Sequence, residues 1–148
     1  MFRGVTSLNL DAKGRLAVPS RHRDALFAES AGRVVLTAHP HRCLLLYPQP
    51  AWEPIQAKIM SLSSFDRQSS ALQRLLVGYA EDLELDSSGR LLVSPALRQF
   101  VGLEKQAMLV GQGSHFELWS TDGWKAQLEK VMAGDGMELP AELEGFSL

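Results

Sequence analysis

The segment DAKGR at residues 11–15 combines an aspartate, a glycine and an arginine, and DSSGR at residues 86–90 repeats the combination. An Asp-x-x-Gly sequence favours a tight turn, because the aspartate can accept backbone hydrogen bonds and the glycine can adopt positive φ. An arginine at the tip of such a turn can contact phosphate or donate two hydrogen bonds to guanine in the major groove. The pattern therefore makes recognition of nucleic acid a candidate function.

The same spacing also favours a purely structural role for the arginines. Arg15 follows Asp11 by four residues, as Arg90 follows Asp86, so each pair could form a salt bridge that closes its turn. The local pattern alone favours this structural role over contact with nucleic acid.

Internal repetition extends well beyond the two turns and constrains the fold more than any local pattern. Residues 8–18, LNLDAKGRLAV, align with residues 83–93, LELDSSGRLLV. Further along, LLLYPQPAW at 44–52 aligns with FELWSTDGW at 116–124. Because the matches run in the same order over both halves, the chain is expected to contain two copies of one unit.

Each copy predicts the same order of elements: strand, turn, strand, helix, two-stranded hairpin and closing helix. Ser20 and Ser94 are predicted to cap the helices that follow the turns, and Thr121 is predicted to cap the last helix. The predicted hairpins pair residues 34–38 with 43–47 and residues 108–111 with 116–119.

One unit of about 45 residues is too small to bury a large core alone. We therefore expect an α+β fold, in which two tandem β units form one pseudo-two-fold, barrel-like core with peripheral helices after each unit. The strands after the Gly-Arg turns should lie together at the centre, with both turns emerging on one side. The expected division is a first unit with its helices at 1–79, a second unit with a C-terminal helix at 80–133, and an acidic, loosely ordered tail at 134–148.

The 148-residue chain has a net charge of −2, which by itself does not indicate a polyanionic partner. The charges are unevenly placed, with five Lys or Arg residues among the first 25 positions and no Lys or Arg after position 132. This asymmetry is a weak indication of a polyanionic partner. No apolar run approaches the roughly 20 residues that cross a bilayer, and no secretory signal is evident. With a single cysteine, a cytoplasmic protein without internal disulfides is expected.

No residue pattern supports catalysis, a cofactor or a small-molecule substrate, so the chain is not expected to be an enzyme. His39, His41 and Cys43 could ligate zinc, but no fourth ligand is evident and no metal site is expected. Cys43 is expected to lie in the core or at its edge. Core or subunit-interface positions, rather than base-stacking positions, are expected for the aromatic residues Tyr47, Trp52, Trp119 and Trp124.

The segments MFRG, LDAKGRLAVP, LDSSGRLLVSP and LVGQGSHFELW together resemble the bacterial MraZ family, and the resemblance extends from residue 1 to about residue 131. That family resembles two fused copies of the swapped-hairpin regulators of AbrB, SpoVT and MazE type. The resemblance implies a sequence-specific, double-stranded-DNA-binding transcriptional regulator in the cytoplasm, associated with the nucleoid. It also implies a homo-oligomeric ring that binds tandem promoter repeats upstream of the division and cell-wall gene cluster through the Asp-x-x-Gly-Arg turns.

Carried over to this sequence, the resemblance implies DNA contacts by Arg15, Lys13, Arg3 and Arg90. The turn-forming residues are Asp11, Gly14, Asp86 and Gly89, and the glycines would keep backbone bulk away from DNA. The second copy departs from the family pattern, because Ser88 replaces the lysine and Ser94 shifts the proline to Pro95. The first copy is therefore expected to bind DNA more strongly.

Arg23 recurs as Arg98, which indicates a role common to both copies. An intramolecular ion pair is the first expectation for these arginines, and a phosphate contact is the second. Because each turn carries only one or two cations, tight binding would require linked copies on repeated sites. The alternative function is an oligomeric, antitoxin-like protein-interaction module without specific DNA readout, which should tolerate Arg15→Ala.

Overall fold

A computed structural model describes residues 1–134 and 140–147 of the chain. Within these residues the strands are β1 (Val5–Asn9), β2 (Arg15–Ala17), β3 (Arg33–His39), β4 (Cys43–Pro48), β5 (Glu81–Glu84), β6 (Arg90–Leu92), β7 (Gln106–Gly111) and β8 (Phe116–Ser120). The α-helices are α1 (Ser20–Ser30), α2 (Gln49–Met60), α3 (Arg67–Leu72), α4 (Pro95–Val101) and α5 (Thr121–Met132). A π-helical turn (Gln73–Val77) continues α3, and a short 3-10 helix (Ala141–Leu143) lies near the C-terminus.

Six strands form one antiparallel sheet in the order β1-β7-β8-β4-β3-β5. The strand that precedes each turn pairs with the opposite half of the chain: β1 pairs with β7, and β5 pairs with β3. At the centre of the sheet, β4 pairs with β8 and joins the two hairpins. The strand order is unchanged when the two halves are exchanged, so the sheet has the symmetry that the repeat predicts.

The remaining two strands, β2 and β6, form a separate antiparallel pair, here called the ribbon. Leu16 pairs with Leu91 at its middle, and the strands run in opposite directions, so the two turns enter the ribbon from opposite ends. The expected pairing of the strands after the Gly-Arg turns is therefore confirmed. The emergence of both turns on one side of the molecule stays a prediction.

Apolar residues on both faces of the sheet explain its burial. The largest core cluster joins the ribbon, α1 and α4 to one face, with Leu16, Leu26 and Leu97 all at most 2% exposed. On the other face, Trp52 of α2 packs with Tyr47. Trp119 packs there with the half-buried Trp124 of α5. The four aromatic residues therefore pack against the sheet, as expected. The combination of this sheet with the five α-helices of the described residues confirms the α+β class.

Neighbouring residues of β6 allow a direct test of what the ribbon contributes to stability. Leu91 is 3% exposed within the main core cluster, whereas Leu92 is 46% exposed. We expect Leu91→Ala to lower the free energy of unfolding by about 2–5 kcal/mol, because it leaves a cavity in a packed core. Leu92→Ala should change it by less than about 0.5 kcal/mol. Urea unfolding of both variants checks this, and equal effects would contradict the assignment of Leu91 to the core.

Two of the three predicted helix caps are wrong by one residue. Ser20 is the first residue of α1, and Pro19 occupies the N-cap with extended dihedral angles and no side-chain hydrogen bond. Thr121 likewise opens α5, because the hydroxyl of Ser120 accepts the Gly123 N–H at 2.9 Å. Ser94 is confirmed as the cap of α4, since its hydroxyl accepts the Leu97 N–H at 3.3 Å.

The predicted division at residues 79 and 80 and the loosely ordered tail stay predictions. Residues 135–139 and 148 lie outside the described residues, so six of the fifteen residues of the expected tail have no structural account. Among the described residues, no helix combines the length and apolar character that crossing a membrane requires.

Candidate nucleic-acid interface

The first turn, residues 11–15 and here called turn one, is built around the Asp11 carboxylate. One oxygen, Oδ1, accepts the backbone N–H groups of Lys13 and Arg15, each at 2.9 Å. The other oxygen, Oδ2, accepts Nε of Arg15 at 2.8 Å. Gly14 completes the turn with φ +84°, a backbone conformation that residues other than glycine adopt at a cost in free energy.

Turn two, residues 86–90, repeats this arrangement atom for atom. Asp86 Oδ1 accepts the N–H groups of Ser88 and Arg90, each at 2.9 Å, and Oδ2 accepts Nε of Arg90 at 2.8 Å. Gly89 has φ +73°. Because the turn uses the backbone N–H of its third residue, replacing lysine with serine there leaves the turn geometry unchanged.

The expected structural role of the turn arginines is therefore confirmed, since both form salt bridges at 2.8 Å. Only Nε is used, and in the described part of the chain Nη1 and Nη2 of Arg15 and Arg90 make no hydrogen bond. The side chains are 33% and 41% exposed. Each guanidinium is thus oriented by an aspartate while its two terminal nitrogens remain available to a ligand.

The same contacts predict how stability depends on pH. The pKa values of Asp11 and Asp86 are lowered from 3.8, chiefly by the backbone N–H of the arginine four residues later, and further by its guanidinium. A lowered folded-state pKa gives stabilisation that is complete above the unfolded value and is lost as pH falls through the folded value.

We therefore expect this contribution to be constant from pH 7 to about pH 5 and to decline below about pH 4. The double variant Asp11→Asn, Asp86→Asn should show a smaller acid-induced decrease in melting temperature than the wild type. Thermal unfolding between pH 7 and pH 2.5 checks this, and identical decreases would refute it.

An arginine from the second half of the chain covers turn one. Arg98 of α4 donates from Nε to the Val93 carbonyl at 3.0 Å, while the Val93 N–H donates to the Gly14 carbonyl at 3.0 Å. A Cβ atom placed on Gly14 would lie only 2.8 Å from Cζ of Arg98. The space that Gly14 leaves open is therefore filled by a guanidinium.

Turn two is covered in the same way by the first half of the chain. Arg23 of α1 donates from Nε to the Val18 carbonyl at 2.6 Å, and the Val18 N–H donates to the Gly89 carbonyl at 2.9 Å. A Cβ atom on Gly89 would overlap Cδ and Nε of Arg23.

The ion pair first expected for Arg23 and Arg98 is wrong. Among the described residues, neither arginine has a carboxylate within salt-bridge distance; each binds a backbone carbonyl at an end of the ribbon. Sequence reasoning detected that the two arginines share a role, because they recur in register, but it did not detect that each one covers the turn of the other unit.

The two other predicted DNA-contacting residues lie in different settings. Lys13 is exposed in turn one. Arg3 is also exposed, but it lies at the end of β1 remote from turn one, where Phe2 pairs with Gly113 in both directions at 2.7 Å. No hydrogen bond in the described structure joins Arg3 to either turn, so the structure brings Lys13 and Arg15 together but not Arg3.

His39 and Cys43 of the first hairpin are engaged in contacts within the protein. Nδ1 of His39 accepts the His41 N–H at 3.0 Å. Cys43 is fully buried, and burial, with a smaller contribution from the charge of Glu117, raises its pKa to about 12. Among the described residues, no group of three or more His, Cys, Asp or Glu side chains is placed to hold a metal ion.

Comparison with known proteins shows which family the chain is similar to. The model of the MraZ family, described as "MraZ protein, putative antitoxin-like", matches residues 1–75 and again residues 76–143. The protein named Transcriptional regulator MraZ in Methylobacillus flagellatus is 78% identical over 148 residues, covering 100% of both chains. Proteins of the same name in Nitrosospira multiformis and Nitrosomonas eutropha are 57% identical over 149 residues and 54% identical over 148, again covering 100% of each chain. Each of the two matched segments contains one of the two turns.

Proposed function

The chain belongs to the MraZ family, and from this membership and the geometry of its turns we propose that it is a DNA-binding transcriptional regulator rather than an enzyme. Its partner is double-stranded DNA. The relatives are named as transcriptional regulators, which supports regulation of transcription, and the two turns supply groups that suit a phosphate or a guanine edge.

The observation that carries this proposal is the paired use of Nε in Arg15 and Arg90. Each aspartate fixes the guanidinium through Nε, so the side chain is ordered before any ligand arrives. Pre-ordering reduces the conformational entropy that binding would otherwise cost. The two remaining Nη groups form the planar fork that matches two acceptors on guanine or phosphate.

In this proposal, Arg15 and Arg90 contact DNA, Lys13 adds a phosphate contact in turn one, and Arg3 contributes a more distant cation. Turn one is the stronger contact because it has Lys13 where turn two has Ser88. The aspartates and glycines at positions 11, 14, 86 and 89 form the turns and do not bind DNA themselves.

We further propose a swapped-hairpin core that divides into units at 1–79 and 80–133, followed by a tail at 134–148. The exchange of β1 and β5 between the halves supports it. The oligomer is a ring that binds tandem promoter repeats of the division and cell-wall gene cluster, in the cytoplasm and at the nucleoid. Linked copies on matched repeats would raise the modest affinity of single turns.

Fluorescence anisotropy tests the proposal with the purified wild-type protein. The probes are the duplex upstream of the protein's own gene and a scrambled duplex of the same composition, each titrated at several salt concentrations. We expect tighter binding to the native duplex and a steep loss of affinity with salt, because phosphate contacts release counterions. Equal and weak binding to both duplexes would reject specific DNA recognition.

One observation favours a protein-interaction module as the second candidate function. Phe65 is 99% exposed in the loop between α2 and α3, and the nearby Met60 is 55% exposed. Exposed apolar residues of this size are typical of protein contacts when they cluster. In that case, DNA binding would be weak and nonspecific, and Arg15→Ala would leave oligomerisation and partner binding unchanged.

A further inference from the structure

Each turn carries a second guanidinium that belongs to the other half of the chain. Cζ, Nε and Nη1 of Arg98 lie within about 3.1 Å of the position that a Cβ on Gly14 would occupy. Arg23 crosses Gly89 in the equivalent place. Arg98 thus lies against Gly14, which precedes Arg15 in turn one, and Arg23 lies against Gly89, which precedes Arg90 in turn two.

The charge of these two arginines is not neutralised by a partner in the described structure. Both use Nε on a backbone carbonyl, and neither has a carboxylate oxygen within 4.0 Å. No buried side-chain nitrogen or oxygen in the described part of the chain lacks a hydrogen bond. Since Nη1 and Nη2 of both arginines make no such bond, solvent reaches them.

We propose that Arg98 and Arg23 are DNA-contacting residues, each completing the turn of the opposite unit. This inference rests on the proposed function and extends it. Turn one then carries Lys13, Arg15 and Arg98, while turn two carries Arg90 and Arg23. Each contact surface is built from both units, because each turn is completed by an arginine from the opposite unit.

The position of the arginines favours phosphate over a base edge as the group they contact. Arg98 lines an open cleft of about 500 Å³ together with Asp11 and Ala12 of turn one and with Glu104 and Lys105. The Arg98 guanidinium is held against the backbone of Gly14 rather than projecting from the turn. A guanidinium packed on the turn backbone suits a DNA phosphate, whereas the Nη groups of Arg15 suit a base edge.

Salt titration separates these two roles. Arg98→Gln removes the charge, and we expect it to reduce the slope of log affinity against log salt by about 0.9 for each phosphate that the variant no longer neutralises. Affinity should fall to a similar extent on the native and the scrambled duplex, since phosphate contacts carry no sequence information. The matched control is Arg67→Gln, an exposed arginine at the start of α3, which should keep the wild-type slope.

A second variant separates charge from structure. Arg98→Lys keeps the charge but loses the guanidinium bond to the Val93 carbonyl, as Arg98→Gln also does. A phosphate contact predicts a wild-type slope for the lysine variant and a reduced slope for the glutamine variant. If both variants change alike, or if Arg98→Gln keeps the wild-type slope while the wild type still prefers the native duplex, Arg98 only positions turn one and the inference is wrong. If the wild type itself shows no preference, the proposed function fails first, and the inference fails with it.

Discussion

Arg15→Ala is expected to abolish the preference of the protein for the native duplex over the scrambled one. An arginine that donates two hydrogen bonds to a base contributes about 1–3 kcal/mol of discrimination, or roughly 5- to 150-fold per contact. Turn one should otherwise remain folded, because Asp11 still accepts the N–H groups of residues 13 and 15 at 2.9 Å. Anisotropy on both duplexes, together with a melting temperature, measures the effect.

Two variants make this result specific to the guanidinium fork. Arg15→Lys keeps the charge but cannot donate two parallel hydrogen bonds, so it should retain salt-dependent binding and lose most of the preference. Arg67→Ala removes an exposed arginine far along the chain and should behave as the wild type. A wild-type preference in Arg15→Ala would reduce this arginine to a turn-closing residue and favour the protein-interaction module.

Gly89→Ala is expected to destabilise the protein more than any other single methyl addition at the turns. An L-residue at φ +73° costs about 1–2 kcal/mol by itself, and the new Cβ would also displace Arg23. That displacement breaks the bond from Arg23 to the Val18 carbonyl at one end of the ribbon. Chemical unfolding should therefore show a loss of free energy above the conformational cost alone.

Gly102→Ala is the matched control, because it measures the cost of placing an alanine at positive φ alone. Gly102 has φ +71°, almost the same as Gly89, but no atom lies within 4 Å of its Cβ position. The excess of Gly89→Ala over Gly102→Ala measures the displacement of Arg23, and it should shrink in the double variant Gly89→Ala, Arg23→Ala. If the two glycine variants lose equal stability, Arg23 does not pack on turn two in solution.

The repeated segments made the local structure predictable. The residue types in LDAKGRLAV and LDSSGRLLV determine a strand, a turn and a second strand without help from distant parts of the chain. The hairpins followed from short apolar runs separated by polar loops, and the closing helices followed from helical spacing of apolar residues. The pairing of β2 with β6 followed from symmetry, because two equivalent strands at a common centre meet each other.

The partners of the outer strands could not be predicted from local patterns. The apolar residues near β1 predict a strand, and its half-buried residues are Thr6 and Leu8, but the local pattern does not show that the strand pairs with β7 of the other half. The π-helical turn at Gln73–Val77 was missed for a similar reason. The hydroxyl of Thr37 donates to the Leu76 carbonyl at 2.7 Å, a contact between residues that are distant in sequence.

The roles of Arg23 and Arg98 show the same limit at the candidate site. A sequence shows which charges are present, and an ion pair was the natural expectation for a recurring arginine. It does not show that the carbonyls of Val18 and Val93 lie at the ribbon ends, within reach of these side chains. The turns were predictable as single units, whereas their completion by the opposite unit was not.

The exchange of outer strands also determines when each strand can pair while the chain is being synthesised on the ribosome. Val5 pairs with Val110, so β1 cannot find its place until more than a hundred residues have left the exit tunnel. Until then, the buried hairpin of β3 and β4 has an unfilled edge where β8 will later pair. Contacts this distant in sequence slow folding and leave apolar edges open to neighbouring nascent chains. An incomplete chain therefore presents an edge that can pair with a strand from a second molecule.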